Sequence, residues 1–260
     1  MDLGIADRVA LVTASSQGLG LACARALARE GASVVINGRD PEKLSRVVRD
    51  LGTEFPGAKL SMIAADLTTR HGLDSIIDAV PEVDILVTNN AGPPPSGLEE
   101  WNEDALAGAF AANTVPAVQL MRAYLPGMRS RGFGRVINIT SAMVTSPKYD
   151  MGLSAAARAA LTGISKAISA EVAADNVTIN NLLPERFDTQ RQDIMAQRLM
   201  DGHGIDRAEA TRRIASAIPA RRLGRPEELG DACAFLAGAQ AGYITAQNLR
   251  LDGGSYEGLI

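Results

Sequence analysis

Two cysteines and two histidines are all that 260 residues supply as soft metal ligands. Cys23 and Cys233 lie far apart, each inside a stretch of helical periodicity, and read as buried thiols, with a disulfide or a reactive centre as the alternative. His71 and His203 belong to different regions and have no cysteine or carboxylate around them at ligand spacing, so no metal site is expected. Positive charge is not in excess either: 26 Lys and Arg stand against 30 Asp and Glu, a formal net charge of −4. That balance argues against a nucleic-acid-binding face, which needs a basic stripe. No apolar run approaches the ~20 residues of a membrane span. Met1 to Arg8 has neither the basic start nor the apolar centre of a secretory signal. These absences lead to the expectation of a soluble, cytoplasmic protein that has neither nucleic acid nor membrane as a partner. No repeat, low-complexity tract or Gly/Ser linker divides the chain, so residues 1–260 read as one domain.

What the chain does contain is an alternation of short apolar runs with longer amphipathic stretches, the pattern of βαβ units around a parallel sheet. Strands are predicted at Val9–Val12, Ser33–Ile36, Leu60–Ile63, Asp84–Val87, Arg135–Ile139, Val177–Leu182 and Asn248–Leu251. A helix from about Leu19 to Glu30 stops at Gly31, which suits a helix C-terminus. Two long helices are expected, over Asn102 to Met128 and Gly152 to Asp175. The fold class is therefore α/β, a doubly wound parallel sheet of about seven strands with helices on both faces.

Gly18 and Gly20 fall between the first strand and first helix, where missing side chains let a pyrophosphate approach the free N–H groups of a helix N-terminus. Further segments follow in a fixed order: Thr13-Ala14-Ser15-Ser16-Gln17-Gly18-Leu19-Gly20, Asp66-Leu67, Asn89-Asn90-Ala91-Gly92, Asn113, Gly134 to Ser141, Pro184 to Thr189, and Asp252-Gly253-Gly254. With this ordered set the chain resembles the short-chain dehydrogenase/reductase family from end to end, and 3-oxoacyl-ACP-reductase-like members in particular. The resemblance implies a nicotinamide cofactor held by Thr13, Ser15, Gln17, Gly18, Leu19, Gly20, Asp66, Leu67, Asn90, Ala91, Gly92, Pro184 and Thr189. Ala14 replaces the family's first glycine, which predicts a slightly altered turn. Asp66 is expected to accept from the adenine amino group, the alternative being a helix N-cap near Thr68.

Cofactor choice turns on the end of the second strand, Asn37-Gly38-Arg39-Asp40. Gly38 stands where an NAD site carries its carboxylate, and Arg39 offers a planar donor fork to a 2′-phosphate, so NADP(H) is favoured over NAD(H). Gln17 stands where NADP-preferring relatives often have a second basic residue.

The family's catalytic serine is followed about thirteen residues later by Tyr-x-x-x-Lys. Counting from Ser141 without a gap lands on Ser154 and Arg158. Asn113 and Ser141 fit the asparagine and serine positions, but the phenolic acid is replaced. A serine hydroxyl is a far weaker acid than a tyrosine tuned by a cation. Arg158 lies one turn beyond Ser154 on the same face, where it can hold ribose hydroxyls or stabilise an oxyanion. Two substitutes for the acid stand out. Tyr149 can fold into the vacated space or remain a surface tyrosine beside solvated Lys148 and Asp150. Glu185, replacing the glycine after Pro184, can act as acid or base if buried or can pair with Arg186 at the surface. Residues 185–222 carry no strand signal and correspond to the family's substrate loop and lid.

Two functions follow. One is an NADP(H)-dependent short-chain oxidoreductase with a non-standard catalytic site, moving hydride to or from a small-molecule carbonyl, alcohol or imine. The other is a catalytically inactive nucleotide-binding protein with a regulatory or structural role. The resemblance also implies a homodimer or homotetramer.

Overall fold

In the computed structural model, which describes residues 2–259, seven strands form one sheet in the order β3-β2-β1-β4-β5-β6-β7. They are β1 (Val9–Val12), β2 (Ser33–Gly38), β3 (Leu60–Ala64), β4 (Ile85–Thr88), β5 (Gly134–Ile139), β6 (Val177–Pro184) and β7 (Asn248–Leu251). All neighbours are parallel. Parallel strands need crossover connections, and the helices that make them bury both faces. On one face α1 (Gly18–Arg29), α2 (Pro41–Glu54) and α9 (Pro226–Ala237) contribute Leu27, Leu44 and Leu229 to a core with Val12 and Ile36. On the other, α3 (Arg70–Ala79), α5 (Val115–Ser130) and α6 (Gly152–Val172) place Ile76, Leu120 and Leu161 against Leu11, Leu86 and Val136. Each such fully buried leucine or isoleucine contributes about 1.5–3 kcal/mol. Cys23 and Cys233 meet at the α1–α9 contact as free, buried thiols, and burial followed by the neighbouring sulfur pushes the Cys23 thiol well up.

Strand order reverses between β1 and β4, and ligands of open α/β sheets bind beyond the strands' carboxyl ends at such a point. Polar residues inside β4 to β7 fix the register there. Thr88 Oγ1 donates to Asn138 Oδ1 at 2.6 Å, Asn138 Nδ2 to Asn181 Oδ1 at 3.1 Å, and Asn181 Nδ2 to Asn248 Oδ1 at 2.8 Å. The ladder crosses four strands, and Ser165 of α6 joins it by accepting from Asn138 at 3.0 Å. A one-residue slip would break every rung.

The segment expected as one helix from Asn102 to Met128 is two, α4 (Glu103–Asn113) and α5, broken at Thr114. Pro116 is the cause: it has no N–H to give to Ala112, and its ring crowds that carbonyl. The freed carbonyl oxygen of Ala112 accepts instead from Asn90 Nδ2 at 2.7 Å, tying the break to the loop after β4. Residues 185–222 form α7 (Gln190–His203) and α8 (Arg207–Ser216). No helix among the described residues is long and apolar enough to cross a membrane.

Candidate active site

A crevice of about 660 Å³ opens at the carboxyl ends of the strands. Of the residues expected there, Gln17, Gly18, Leu19, Arg39, Asp66, Leu67, Asn90, Ala91, Gly92, Ser141, Ser154, Arg158, Pro184 and Thr189 line it.

The turn from β1 into α1 is built for an anion. Gln17, the N-cap, closes the helix start with no side-chain bond, and the first N–H groups of a helix have no intrahelical partner. Gly18 sits at φ +58° and Ala14 at +43°, both left-handed. An L-residue pays about 1–2 kcal/mol for that conformation. The Ala14 turn is held in that conformation by two bonds: Ala14 N donates to Asn37 Oδ1 at 3.1 Å and Ala14 O accepts from Asn89 Nδ2 at 3.1 Å.

Thr13, Ser15 and Gly20 lie behind this turn, which corrects the expectation that they face the cofactor. Thr13 Oγ1 bonds both the carbonyl and the N–H of Asn89 at 2.8 Å. Ser15 Oγ donates to Val12 O at 2.7 Å and accepts from Asn37 N at 3.1 Å. A Cβ on Gly20 would fall 2.6 Å from Ala14 O, so this glycine permits close packing.

Arg39 and Asp66 are neighbours at the far end. The backbone N–H and hydroxyl of Thr68 hold the Asp66 carboxyl below its ordinary range, with a smaller contribution from Arg39. Asp66 closes a turn and caps no helix; α3 is capped by Thr69. Lys43, missed in the sequence, donates to Gln17 Oε1 and so brings a cation to the position Gln17 left neutral. Its signal was present: Asp40 caps Glu42 N and Lys43 N at 2.9 and 3.1 Å, which turns the first turn of α2 back toward the glycine loop.

Arg158 is the centre of the other end. It is 8% exposed and forms three bonds: Nε to Thr140 O at 3.0 Å, Nη1 to Ser154 Oγ at 2.8 Å and Nη2 to Asn90 O at 3.3 Å. One planar fork thus joins the ends of β4 and β5 to α6. A Cβ at position 92 would lie 2.9 Å from Nη1, so Gly92 gives the fork its room. Burial, then the charge of Arg191, pushes the Arg158 guanidinium down to about 10.

A hydroxyl has one donor and two acceptor sites. Ser154 Oγ accepts from Arg158, and Ser141 Oγ accepts from Met143 N at 3.2 Å, leaving each O–H to point at a ligand oxygen. The site can therefore hold an oxyanion with two hydroxyl donors beside a guanidinium.

Neither substitute acid lines the crevice. Tyr149 is 65% exposed; its hydroxyl accepts from Leu98 N at 2.9 Å and its ring lies 5.8 Å from that of Trp101. Aromatic pairing keeps it outside. The Glu185 carboxylate accepts from Lys148 Nζ at 2.8 Å and lies 3.7 Å from Arg186, so Lys148 is not merely solvated and Glu185 is engaged away from the crevice. Asn113 faces a separate cavity of about 20 Å³ behind Arg158, room for about one water. Its Nδ2 donates to Ala109 O at 3.3 Å. Arg186 takes φ +56°, held by Gly224 N bonding its carbonyl at 3.1 Å, and strain of this kind collects at functional loops.

The chain is similar to known proteins along nearly its whole length. A family model described as enoyl-(acyl carrier protein) reductase matches residues 13–256. The NADPH-dependent reductase BacG of Bacillus subtilis is 32% identical over 98% of this chain and 100% of its own. The 3-oxoacyl-[acyl-carrier-protein] reductase FabG of Vibrio harveyi is also 32% identical, over 98% of this chain and 99% of its own. Among solved structures, L-sorbose reductase from Gluconobacter frateurii, complexed with NADPH and L-sorbose, superposes with a TM-score of 0.94 at 31% identity, each chain covered in full. On its motifs, its sheet and these relatives, the chain belongs to the short-chain dehydrogenase/reductase family.

Proposed function

We propose that this chain is an NADP(H)-dependent oxidoreductase that activates its substrate by hydrogen bonding and charge, with no phenol to deliver a proton. The Arg158 to Ser154 bond at 2.8 Å carries this reading, because it turns the serine's own proton outward and leaves a cation beside it. The fit of the cofactor rests on the uncapped start of α1 for its diphosphate and on Arg39, with Lys43 nearby, for its 2′-phosphate. Gly38 supports the same choice: a Cβ there would come within 3.3 Å of Leu44 Cδ2 and of Ser16, which leaves an NAD-type carboxylate little space. The relatives whose names specify NADPH point the same way.

Bound NADPH supplies a hydride. Ser141 and Ser154 would donate to the oxygen or nitrogen of the group that receives it, and Arg158 would stabilise negative charge there. Pre-aimed donors of this kind are worth about 10²–10³ in rate each. The proton comes from water or is carried by the substrate, as in an iminium. Gln190 to Ser216 would act as the lid, and a homodimer or homotetramer is the expected assembly.

Fluorescence titration with NADPH and NADH tests the cofactor, and NADPH consumption against ketones, aldehydes and cyclic imines tests the chemistry. Turnover unchanged in S154A/R158A would overturn the assignment of the site. Tight NADPH binding with no turnover of any class would favour the nucleotide-binding reading, which the missing acid in the crevice also supports.

A further inference from the structure

Four arginines line the crevice, Arg39, Arg158, Arg186 and Arg191, against a single carboxylate, Asp66. Arg39 lies beside Asp66, and Arg186 is 3.7 Å from Glu185. Arg158 and Arg191 have no carboxylate within ion-pair distance among the described residues. Arg191 uses only one of its five N–H groups, Nη2 to Pro93 O at 3.1 Å. Two turns along α7, Arg198 also bonds a carbonyl, Pro95 O at 3.4 Å, and adds a third uncompensated charge. Burial and then mutual repulsion lower both guanidinium groups: Arg191 acts on Arg158, and Arg198 on Arg191.

An independent observation marks the same place. Gln192 lines the crevice and is 8% exposed, and its Nε2 has no hydrogen-bond partner among the described residues. Buried donors are nearly always paired, so an unpaired one on the residue after Arg191 in α7 indicates a missing acceptor. A planar guanidinium matches a carboxylate in two parallel bonds.

We propose that Arg158, Arg191 and Gln192 receive an oxyanion of the substrate, so that this reductase acts on carboxylate-bearing compounds. This rests on reading the crevice as an NADP(H) site. The cofactor's diphosphate has the same oxyanion chemistry, but the uncapped start of α1 already provides for it. The carboxylate would sit under the first turn of α7 and pull it against the Pro93–Pro95 loop.

Calorimetry on the NADP⁺-loaded protein with two isosteric pairs, benzoate and benzamide, acetate and acetamide, tests the assignment. The carboxylates should bind at least about tenfold tighter, a difference of about 1.4 kcal/mol. R191Q, checked for an unchanged melting temperature, should abolish the preference while leaving the NADP⁺ Kd within about twofold, and R198Q should reduce it about two- to threefold. Equal binding within each pair, or no binding of either member at tens of millimolar, overturns the proposal. A tenfold loss of NADP⁺ affinity in R191Q with the carboxylate preference intact assigns the cluster to the diphosphate instead. Failure of the wild-type protein to bind NADP⁺ at all removes the cofactor reading and this inference with it.

Discussion

In the function proposed above, Arg158 would do with one side chain what a tyrosine and a lysine share in typical members of the family, except for giving up a proton. Removing it leaves the carbonyls of Thr140 and Asn90 unpaired and takes the cation from the crevice. R158A should lower kcat/KM about 10²-fold or more, and R158K should recover only part of that because an ammonium cannot span the three acceptors. Its guanidinium sits at about 10, so the cation is present below that pH and lost above it. A kcat/KM profile should therefore be flat from about pH 6 to 9 and fall near 10, with no step from a tuned phenol. Because the shift is downward, neutralising Arg158 favours the folded state, so the fall should precede unfolding on the same samples. Ala14 gives a separate test. Its left-handed φ of +43° suits glycine, and A14G should raise stability by about 0.5–1 kcal/mol in thermal melts despite the freer unfolded chain. Ser154 and Arg158 were legible by counting from Ser141. Arg191 and Gln192 were not: in the polar stretch after Pro184, charges that face a crevice and charges that face solvent read alike. Of the two readings of Tyr149 the structure takes the surface one, and the reason was not legible because its ring partner, Trp101, is distant in sequence.

At the scale of elements, strand positions were legible because buried parallel strands are short apolar runs, yet their ends were not. β2 runs on to Gly38, past the point where apolar character stops, and β6 to Pro184, because ladder pairing with Ala64 and Leu251 continues. The polar ladder across β4 to β7 was not legible either: Asn138 and Asn181 fell inside predicted strands, but which side chains they meet depends on the order of the strands in the sheet. N138A should cost about 2–4 kcal/mol in urea denaturation, since it strands Thr88, Ser165 and Asn181 in the interior. A loss under about 0.5 kcal/mol would mean water replaces the side chain. The α4–α5 break was legible in principle from Pro116, and its role in anchoring Asn90 was not, because that bond depends on where β4 ends.

For the whole molecule, charge and shape work against each other. A chain of net charge −4 repels a polyanionic nucleotide at long range, while Arg39 in the crevice, with Lys43 beside Gln17, attracts it at close range. Salt screens both fields, but the concave, partly dry site dominates binding. The NADPH Kd should rise about tenfold between 50 and 500 mM sodium chloride, and an unchanged Kd would place the nucleotide phosphates away from Arg39 and Lys43. The flank of the crevice has its own consequence. Trp101 is the chain's single tryptophan; its Nε1 donates to Ser96 Oγ at 3.0 Å and its ring covers Gly152, where α6 begins. The loop that Arg191 and Arg198 grip and the helix that carries Ser154 thus meet on one indole. The protein has a built-in optical probe at that joint, whose emission should respond, without a label, to any movement of the loop.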